Sequence, residues 1–588
     1  MSYSKYASAL FAALFIAACV PLDSKTPGED ASVVGGPVPA AGSWDKGAMV
    51  SAANPHAVDA AIQMLEMGGH AVDAAIAAHA VLGLVEPQSS GLGGGAFMLI
   101  YQRAGGELSF LDGRESAPAG ATVDMFVRDG QVMSFLEAWQ SGLAVGVPGT
   151  VALYEHAHDD YGRLDWSELF EPAIRLAEQG FAVSPRMSKS LEFIAPHSRL
   201  DENPPTAAYF YPGGQALQVG HRLKNPDYAK TLRRIAEEGI DAFYAGEIAQ
   251  AIAEAAQEGP DGGSLTASDI GNYEVLERPV ICGKFRVLKI CTTSPPSSGV
   301  AQIMIAGIYD HLVLDASDKQ DRITAFVDSQ RLAYADRDHY IGDPKSVSIP
   351  LDDLLNPVYL KHRAGERFSP EVTPTHGDPG HVLHGEPIAD VLGQDQTFET
   401  PGTSHLSIID SDGNAIAMTA TVEGYFGSSR WAHGFLLNNQ MTDFAREPSP
   451  DGKPIANAIV PGKRPRSSMS PTMVFDESDK IVMITGSPGG NSIPAYVAKS
   501  LVGVLDWGLS AQDAVDHPNI VARGETVRVE IATDTGRAIA SDLRQRGYNV
   551  EEREGENSGL HVIVVRGERL DGAADKRREG VVRTLAPN

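Results

Sequence analysis

Basic residues, long apolar runs and cysteines are all scarce in this 588-residue chain. The 48 Lys and Arg residues are outnumbered by 76 Asp and Glu, which gives a formal net charge of −28. That deficit argues against binding nucleic acid or an anionic membrane through a basic face. The apolar run at residues 9–18 is too short to cross a bilayer.

The three cysteines permit little cross-linking. Cys282 and Cys291 lie in VICGKFRVLKICT, whose two apolar runs predict a β-hairpin. A disulfide between them and two separate buried thiols both fit this pattern. The third cysteine, Cys19, follows the apolar N-terminal run.

The N-terminus has the organisation of an export signal. Residues 1–5 form a short basic region and residues 9–18 an apolar run. The sequence Ile16-Ala17-Ala18-Cys19 that ends this run resembles a bacterial lipobox. We therefore expect a lipoprotein-type signal peptide at residues 1–18, lipidation of Cys19 and a flexible tether at residues 19–45. An ordinary signal peptide cleaved nearby is the alternative. Either signal predicts export to the periplasm or the outer surface, and the lipoprotein signal predicts membrane contact only through a lipid anchor.

A threonine at the head of a predicted strand is the candidate nucleophile. Thr403 precedes an apolar strand at residues 406–410, a turn at residues 411–413 and a second strand at residues 415–422, a pattern typical of a β-hairpin. A threonine hydroxyl is a weak nucleophile, and a free α-amine on the same residue can activate it. This requires cleavage of the bond after Gly402.

Two later turns carry groups that bind negative charge. Residues 467–471 read SSMSP, and residues 486–490 read GSPGG after an apolar strand. Such turns direct hydroxyl and backbone N–H groups toward an anion. They predict one anion site and one oxyanion hole.

Nine segments in order resemble the γ-glutamyltranspeptidases, a family of N-terminal-nucleophile hydrolases. Upstream of Thr403 they are EPQSSGLGGGAFMLI, LDGRESAPA, VGVPGT, PPSSG and YADRDHYIGDP, and from residue 402 onward they are GTSHLSIIDSDGNAIA, LLNNQMTDF, KRPRSSMSPTMV and ITGSPGG. Length alone would suggest two or more domains. The resemblance implies instead one α/β globule, a four-layer αββα sandwich. It would be built from a large subunit (residues 46–402) and a small catalytic subunit (residues 403–588) that form a heterodimer after autocleavage between Gly402 and Thr403.

The resemblance also implies the catalytic groups and the reaction. Thr403 would be the nucleophile and its freed amine the base, Thr421 would hydrogen-bond the nucleophile, and Gly489 and Gly490 would form the oxyanion hole. The γ-glutamyl group of glutathione or another γ-glutamyl compound would pass to water or to an amino-acid or peptide acceptor, without a cofactor or metal.

The donor's α-carboxylate and α-ammonium need separate clamps. The resemblance assigns the carboxylate to one arginine and two serines and the ammonium to three acceptor side chains: Arg114, Ser467 and Ser468; Glu423, Gln440 and Asp443. Glu423 stands where many members have asparagine. Between Phe444 and Lys463 there is no aromatic residue, although members with a lid place a tyrosine there, and we infer a more open pocket.

Three other functions remain to be weighed. An acylase of the same architecture, acting on glutaryl or β-lactam side-chain amides, would have no use for the ammonium clamp. A lipid-tethered binding protein would stay uncleaved. A metal site at His376, His381 and His384 is disfavoured because no regular spacing fixes them.

Overall fold

The computed structural model describes residues 44–587 except 195, 260, 315–318, 367, 389–390 and 450–451. The predicted signal peptide, Cys19 and almost all of the predicted tether lie outside these residues. The described chain belongs to one compact unit, as the resemblance implies. None of its helices is long and apolar enough to cross a membrane.

Two antiparallel sheets form the centre of the molecule. The seven-stranded sheet has this spatial order: Val581–Leu585, Ala48–Ala52, Gly402–Ile409, Ala415–Glu423, Gly95–Gln102, Glu107–Gly113 and Leu276–Arg278. The six-stranded sheet has this order: Arg569–Ala574, His561–Arg566, Ile481–Gly486, Thr472–Phe475, Leu288–Thr293 and Val280–Phe285. Smaller sheets comprise Ile520–Arg523, Thr526–Glu530 and Val550–Arg553, and the pairs Val127–Arg128 with Gln131–Val132, Phe181–Ala182 with Arg222–Leu223, and Trp431–Ala432 with Phe435–Leu436.

Helices cover the outer face of each large sheet. Beside the seven-stranded sheet lie Pro55–Glu66, Ala71–Val85, Thr150–Tyr161, Glu171–Gln179 and Pro226–Glu238. Beside the six-stranded sheet lie Gly299–Val313, Lys319–Tyr340, Pro357–Gly365, Ile493–Leu505 and Ala511–Asp516. The remaining α-helices are Phe135–Gln140, Pro185–Ile194, Pro204–Phe210, Asp241–Tyr244, Gly246–Gln257, Ala267–Gly271, Leu351–Leu354, Pro379–His384 and Asp534–Gln545. Short 3-10 helices include Gly142–Ala144, Trp166–Phe170, Pro212–Gly214, Gln440–Asp443 and Gly490–Ser492.

The central strands are buried on both faces. Leu406 and Ile408 pack into the core beneath the first helical layer, whereas Ile409 packs into the core between the sheets. The neighbouring polar residues, His405 and Ser407, are also buried, and their side chains are hydrogen-bonded. The predicted αββα sandwich is confirmed.

The predicted local elements agree with the structure. Apolar periodicity broken at Gly68-Gly69 predicts helices at residues 55–67 and 71–84, and these occur as Pro55–Glu66 and Ala71–Val85. Asn54 caps the first through His56 N, and Gly68 adopts a positive φ of 88° between them. The hairpin at residues 402–423 is also confirmed.

Cys282 and Cys291 face each other on paired strands and are joined by a disulfide. Of the two arrangements that the sequence allowed, the structure has the bonded one.

Candidate active site

The site lies where the Gly402–Ile409 strand begins beside the end of the Ala415–Glu423 strand. The register shifts between Gly402 and Thr403, so that Thr403 lies opposite Thr421. A Cβ on Gly402 would lie 2.3 Å from the Gly424 carbonyl oxygen and 2.4 Å from that of Glu423. Only glycine fits at this position, immediately before the candidate nucleophile.

Two hydroxyl groups meet at the Gly402 carbonyl. Thr421 Oγ1 donates a hydrogen bond to the Gly402 carbonyl oxygen at 2.7 Å. The Thr403 and Thr421 hydroxyl oxygens are 3.3 Å apart. Both threonines are 3% exposed, so water is largely excluded. A donor fixed on a carbonyl oxygen stabilises the charge that forms there when a nucleophile attacks.

The residues before Gly402 fill the anion side of the site. The Glu399 carboxylate accepts hydrogen bonds from Arg337 Nη2 at 2.6 Å and from the Ser468 backbone N at 2.8 Å. Burial opposes ionisation of Glu399, but Arg337 and Arg466 outweigh it and lower its pKa. An ionised carboxylate of the chain itself therefore occupies the turn at Ser467 and Ser468.

The same segment also hydrogen-bonds to Glu423, one of the three side chains predicted to bind the donor's ammonium group. Glu423 Oε1 accepts from both the backbone N and the hydroxyl of Thr400, each at 2.8 Å. Asn439 donates to the other carboxylate oxygen of Glu423. Glu399 and Thr400 thus hold the segment upstream of Thr403 inside the site.

Arg114, Gln440 and Asp443 form a buried group. Arg114 Nη2 donates to Asp443 Oδ2 at 2.6 Å and to the Arg466 carbonyl at 3.0 Å. Gln440 Nε2 also donates to Asp443 Oδ2, at 2.5 Å. Gln440 Oε1 is buried and accepts no hydrogen bond from the described residues. A buried acceptor without a donor is unfavourable until a ligand supplies one.

The glycine turn lies against the upstream segment. Gly489 and Gly490 have φ values of 140° and 55°, and a Cβ on Gly490 would lie 2.3 Å from the Glu399 carbonyl oxygen. Their conformations favour glycine. In the continuous chain the donor to the Gly402 carbonyl is Thr421, so the oxyanion role of the two glycines stays a prediction.

Most of the predicted site residues line one small cavity: Arg114, Thr403, Thr421, Glu423, Asp443, Ser467, Ser468 and Gly490. Its volume is about 10 Å³, enough for roughly one water molecule. Gln440 does not line the cavity but hydrogen-bonds to Asp443, which does, and Gly489 precedes the cavity-lining Gly490. No substrate fits here while residues 399–402 remain in place.

Sequence reasoning missed four residues that shape the site. Glu399 and Thr400 lie in a stretch without apolar periodicity, whereas Arg337 and Arg466 lie in YADRD and KRPRSS. The charged pattern of YADRD predicts side chains that are solvated or paired, and Arg337 is completely buried and paired with Glu399. The helix that contains Arg337, Lys319–Tyr340, carries charged side chains along most of its length, so the pattern does not single out this arginine.

Two of the three candidate metal-binding histidines have other side-chain partners. His384 Nε2 lies 3.1 Å from Asp353 Oδ1, and the His376 ring stacks on His339 with 3.5 Å between centroids. Within the described ranges, no group of three or more His, Cys, Asp or Glu side chains is arranged to hold a metal ion.

Known proteins resemble this chain in both sequence and fold. A family model described as "Gamma-glutamyltranspeptidase" matches residues 57–585. The glutathione hydrolase proenzyme of Bacillus subtilis (strain 168) is 36% identical over 483 residues, covering 81% of this chain and 80% of that protein. The glutathione hydrolase proenzyme of Escherichia coli (strain K12) is 35% identical over 547 residues, covering 90% of each. The crystal structure of cephalosporin acylase from Bacillus halodurans has a TM-score of 0.80 at 26% identity, covering 95% of this chain and 99% of that one. The chain belongs to the γ-glutamyltranspeptidase family.

Proposed function

We propose that this chain is an autoprocessed γ-glutamyltransferase and glutathione hydrolase that forms a γ-glutamyl ester on Thr403. The observation that carries the proposal is the Thr421 hydrogen bond to the Gly402 carbonyl, beside the Thr403 hydroxyl. It supplies an electrophile, a charge-stabilising donor and a nucleophile within one buried site. The relatives named as proenzymes support the same maturation.

Self-cleavage comes first. Thr403 Oγ attacks the Gly402 carbonyl carbon, a C–O bond forms, the C–N bond breaks and the nitrogen takes up a proton. Water then hydrolyses the Gly402 ester, which restores the Thr403 hydroxyl and leaves a free α-amine. Such an amine has an ordinary pKa of about 7.7–8.0, so its basic form is available near neutral pH.

Acyl transfer uses the same oxygen. Departure of residues 399–402 uncovers Ser468, Glu423 and the glycine turn. Thr403 Oγ then attacks the donor's γ-amide with its own amine as base, and the leaving amine takes the proton. Water or an acceptor amine attacks the resulting ester and regenerates the hydroxyl.

The charges of the site favour a zwitterionic γ-glutamyl donor over the acylase alternative. Gln440 Oε1 is a buried acceptor that receives no hydrogen bond from the described residues. Asp443 and Glu423 contribute two carboxylates to the same site. An α-ammonium satisfies these groups, whereas a glutaryl side chain lacks one. This argument weighs against carrying over the activity named for the structurally similar cephalosporin acylase. Before cleavage the small cavity has no room for a γ-glutamyl compound, which weighs against an uncleaved protein that binds such compounds there.

We also propose that the protein is exported and lipid-anchored at Cys19, in the periplasm or on the outer surface. The Cys282–Cys291 disulfide supports an oxidising compartment.

One experiment tests maturation and export together. The purified protein is incubated and separated on a denaturing gel, and each fragment is sequenced from its N-terminus. We expect two fragments, the smaller beginning at Thr403. Lipidation at Cys19 would block Edman sequencing of the larger fragment, so its mass is measured as well. A single band that persists after long incubation would contradict self-processing.

Donor binding should weaken as the pH falls. Burial raises the pKa of Asp443 well above its ordinary value, and the nearby Glu423 carboxylate adds to this rise. Because an ammonium binds best to ionised Asp443, lowering the pH through that raised pKa protonates it and weakens binding. We expect the KM for γ-glutamyl-p-nitroanilide to increase as the pH falls through this raised pKa.

The variant Glu423→Gln provides the comparison. It removes the negative charge next to Asp443 and so lowers the pKa of Asp443. The increase in KM should therefore shift to lower pH, even if the substitution also changes the KM at high pH. Superimposable pH profiles for both proteins would contradict the coupling of these carboxyl groups.

A further inference from the structure

A second, larger cavity adjoins the candidate active site. Its volume is about 840 Å³, and Pro401 and Tyr425 form part of its wall. Among the described residues that line it are six cationic side chains: Arg186, Lys189, Arg528, Arg553, Arg577 and Arg578. Only two lining residues, Glu556 and Glu579, are acidic. Four of the six cations are paired with carboxylates, Arg186 with Glu86, Arg528 with Glu556, Arg553 with Glu551 and Arg577 with Glu530 and Asp575.

The segment before Thr403 separates the two cavities. Thr400 lines the small cavity, and the next residue, Pro401, lines the large one. The Thr403 backbone N donates a hydrogen bond to the Pro401 carbonyl at 3.1 Å, which holds this separating segment close to Thr403. If the chain is cut after Gly402 and the segment withdraws, the two spaces open onto each other at Thr403.

Two of the cations have capacity for a ligand. Lys189 is exposed and makes no hydrogen bond or ion pair with the described part of the chain. Arg578 is only 6% exposed, donates from Nη1 to the Thr403 carbonyl at 2.7 Å, and leaves its buried Nε without a described partner. A buried donor without an acceptor is unfavourable unless a ligand supplies one. Arg578 thus connects the cavity directly to the main chain of the nucleophile.

We propose that this basic cavity binds the carboxylate-bearing part of the acyl acceptor, which makes acidic peptides preferred acceptors. The inference rests on the proposed function and extends it to the substrate that receives the acyl group. By microscopic reversibility, the amine that leaves the donor follows the path by which the acceptor amine enters. The cavity therefore also favours donors whose leaving amine belongs to an acidic peptide.

The transfer step that uses this cavity is balanced. The acceptor's neutral amine attacks the ester carbonyl of γ-glutamyl-Thr403, a C–N bond forms and the ester C–O bond breaks. The proton lost by the amine passes to the α-amine of Thr403 and then to Thr403 Oγ. Carboxylates elsewhere on the acceptor remain among the cationic side chains throughout.

Matched acceptors test the preference. Gly-Glu and Gly-Gln have nearly the same shape and differ by one carboxylate. With γ-glutamyl-p-nitroanilide as donor, we expect a higher kcat/KM for Gly-Glu than for Gly-Gln. The ratio should approach one at high salt, where the screening length falls to about 3 Å at 1 M.

Variants locate the effect in the cavity. In the double variant Lys189→Gln with Arg553→Gln, the ratio should fall about three- to tenfold, because exposed charge pairs contribute modestly. Each ratio is measured on one preparation, so differences in the extent of processing cancel. Lys361→Gln, an exposed lysine outside the cavity, is the matched control and should retain the wild-type ratio.

An equilibrium measurement separates this inference from the proposed function. The cavity exists in the continuous chain, so the uncleavable variant Thr403→Ala should bind the peptide Glu-Glu-Glu more tightly than Gln-Gln-Gln. Combining Thr403→Ala with the double variant should reduce the difference. Equal binding of the two peptides by Thr403→Ala, or a preference that the double variant leaves unchanged, would overturn the inference even if γ-glutamyl transfer is found. Selective binding by Thr403→Ala, together with a wild-type chain that never cleaves itself, would support the cavity and contradict the proposed function.

Discussion

Thr403→Ala should leave the protein as one uncleaved chain and lower γ-glutamyl-p-nitroanilide turnover by at least about 10³-fold. Alanine has no oxygen to attack the Gly402 carbonyl, although Thr421 can still donate to that carbonyl. Without the cut, residues 399–402 remain in the site and the base is never released. A denaturing gel and p-nitroaniline release, measured on the same sample, report the two losses together.

Thr403→Ser is the matched control. Serine keeps the attacking oxygen and lacks only the methyl group, so both cleavage and turnover should persist at a reduced rate. A Thr403→Ala protein that still yields two fragments ending and beginning at this bond would contradict the assignment of Thr403 as the attacking residue.

Asp443→Asn should remove the preference for a γ-glutamyl group over a glutaryl group. The substitution takes away the partner of Arg114 and the charge that faces the substrate ammonium. Breaking a buried ion pair typically costs about 3–5 kcal/mol, which corresponds to roughly 10²- to 10⁴-fold in kcat/KM. We expect a loss of this size for γ-glutamyl-p-nitroanilide and a much smaller loss for glutaryl-p-nitroanilide, so that the two rates converge.

The pair of substrates distinguishes recognition from general damage. A misplaced Arg114 or a disturbed fold would slow both substrates by the same factor, and that outcome would argue against Asp443 as an ammonium partner. Asp201→Asn, which changes an exposed aspartate, should leave both rates at the wild-type values. Faster release from the glutaryl amide by the wild-type protein would favour an acylase instead.

Elements governed by local pattern could be predicted from the sequence. The hairpin at residues 402–423 follows from two apolar runs around Ser411-Asp412-Gly413, and the helix pair at residues 55–85 follows from apolar periodicity broken at Gly68-Gly69. Such patterns are set by neighbours in the chain. The cysteine hairpin was predictable for the same reason, but the bond itself depends on the register that places Cys282 opposite Cys291.

Contacts between distant residues could not be predicted in this way. Glu399 meets Arg337 across 62 residues and the Ser468 backbone across 69. Residues 369–402 show no periodicity that would place Glu399 in a site, and its position is fixed only when both sheets have formed. The pairing of Arg114 with Asp443 is another such case, because the resemblance assigned the two side chains to opposite ends of the substrate.

The order of strands in the seven-stranded sheet decides what happens to the two fragments after maturation. Strand Ala48–Ala52 lies between Val581–Leu585 and Gly402–Ile409, and Gly95–Gln102 lies beside Ala415–Glu423. A cut before Thr403 therefore produces two polypeptides whose strands alternate within one sheet. Separating them would require breaking the hydrogen bonds of the central strands and opening both cores. The mature pair would thus have no dissociation constant in the ordinary sense, since dilution can part the fragments only by unfolding them.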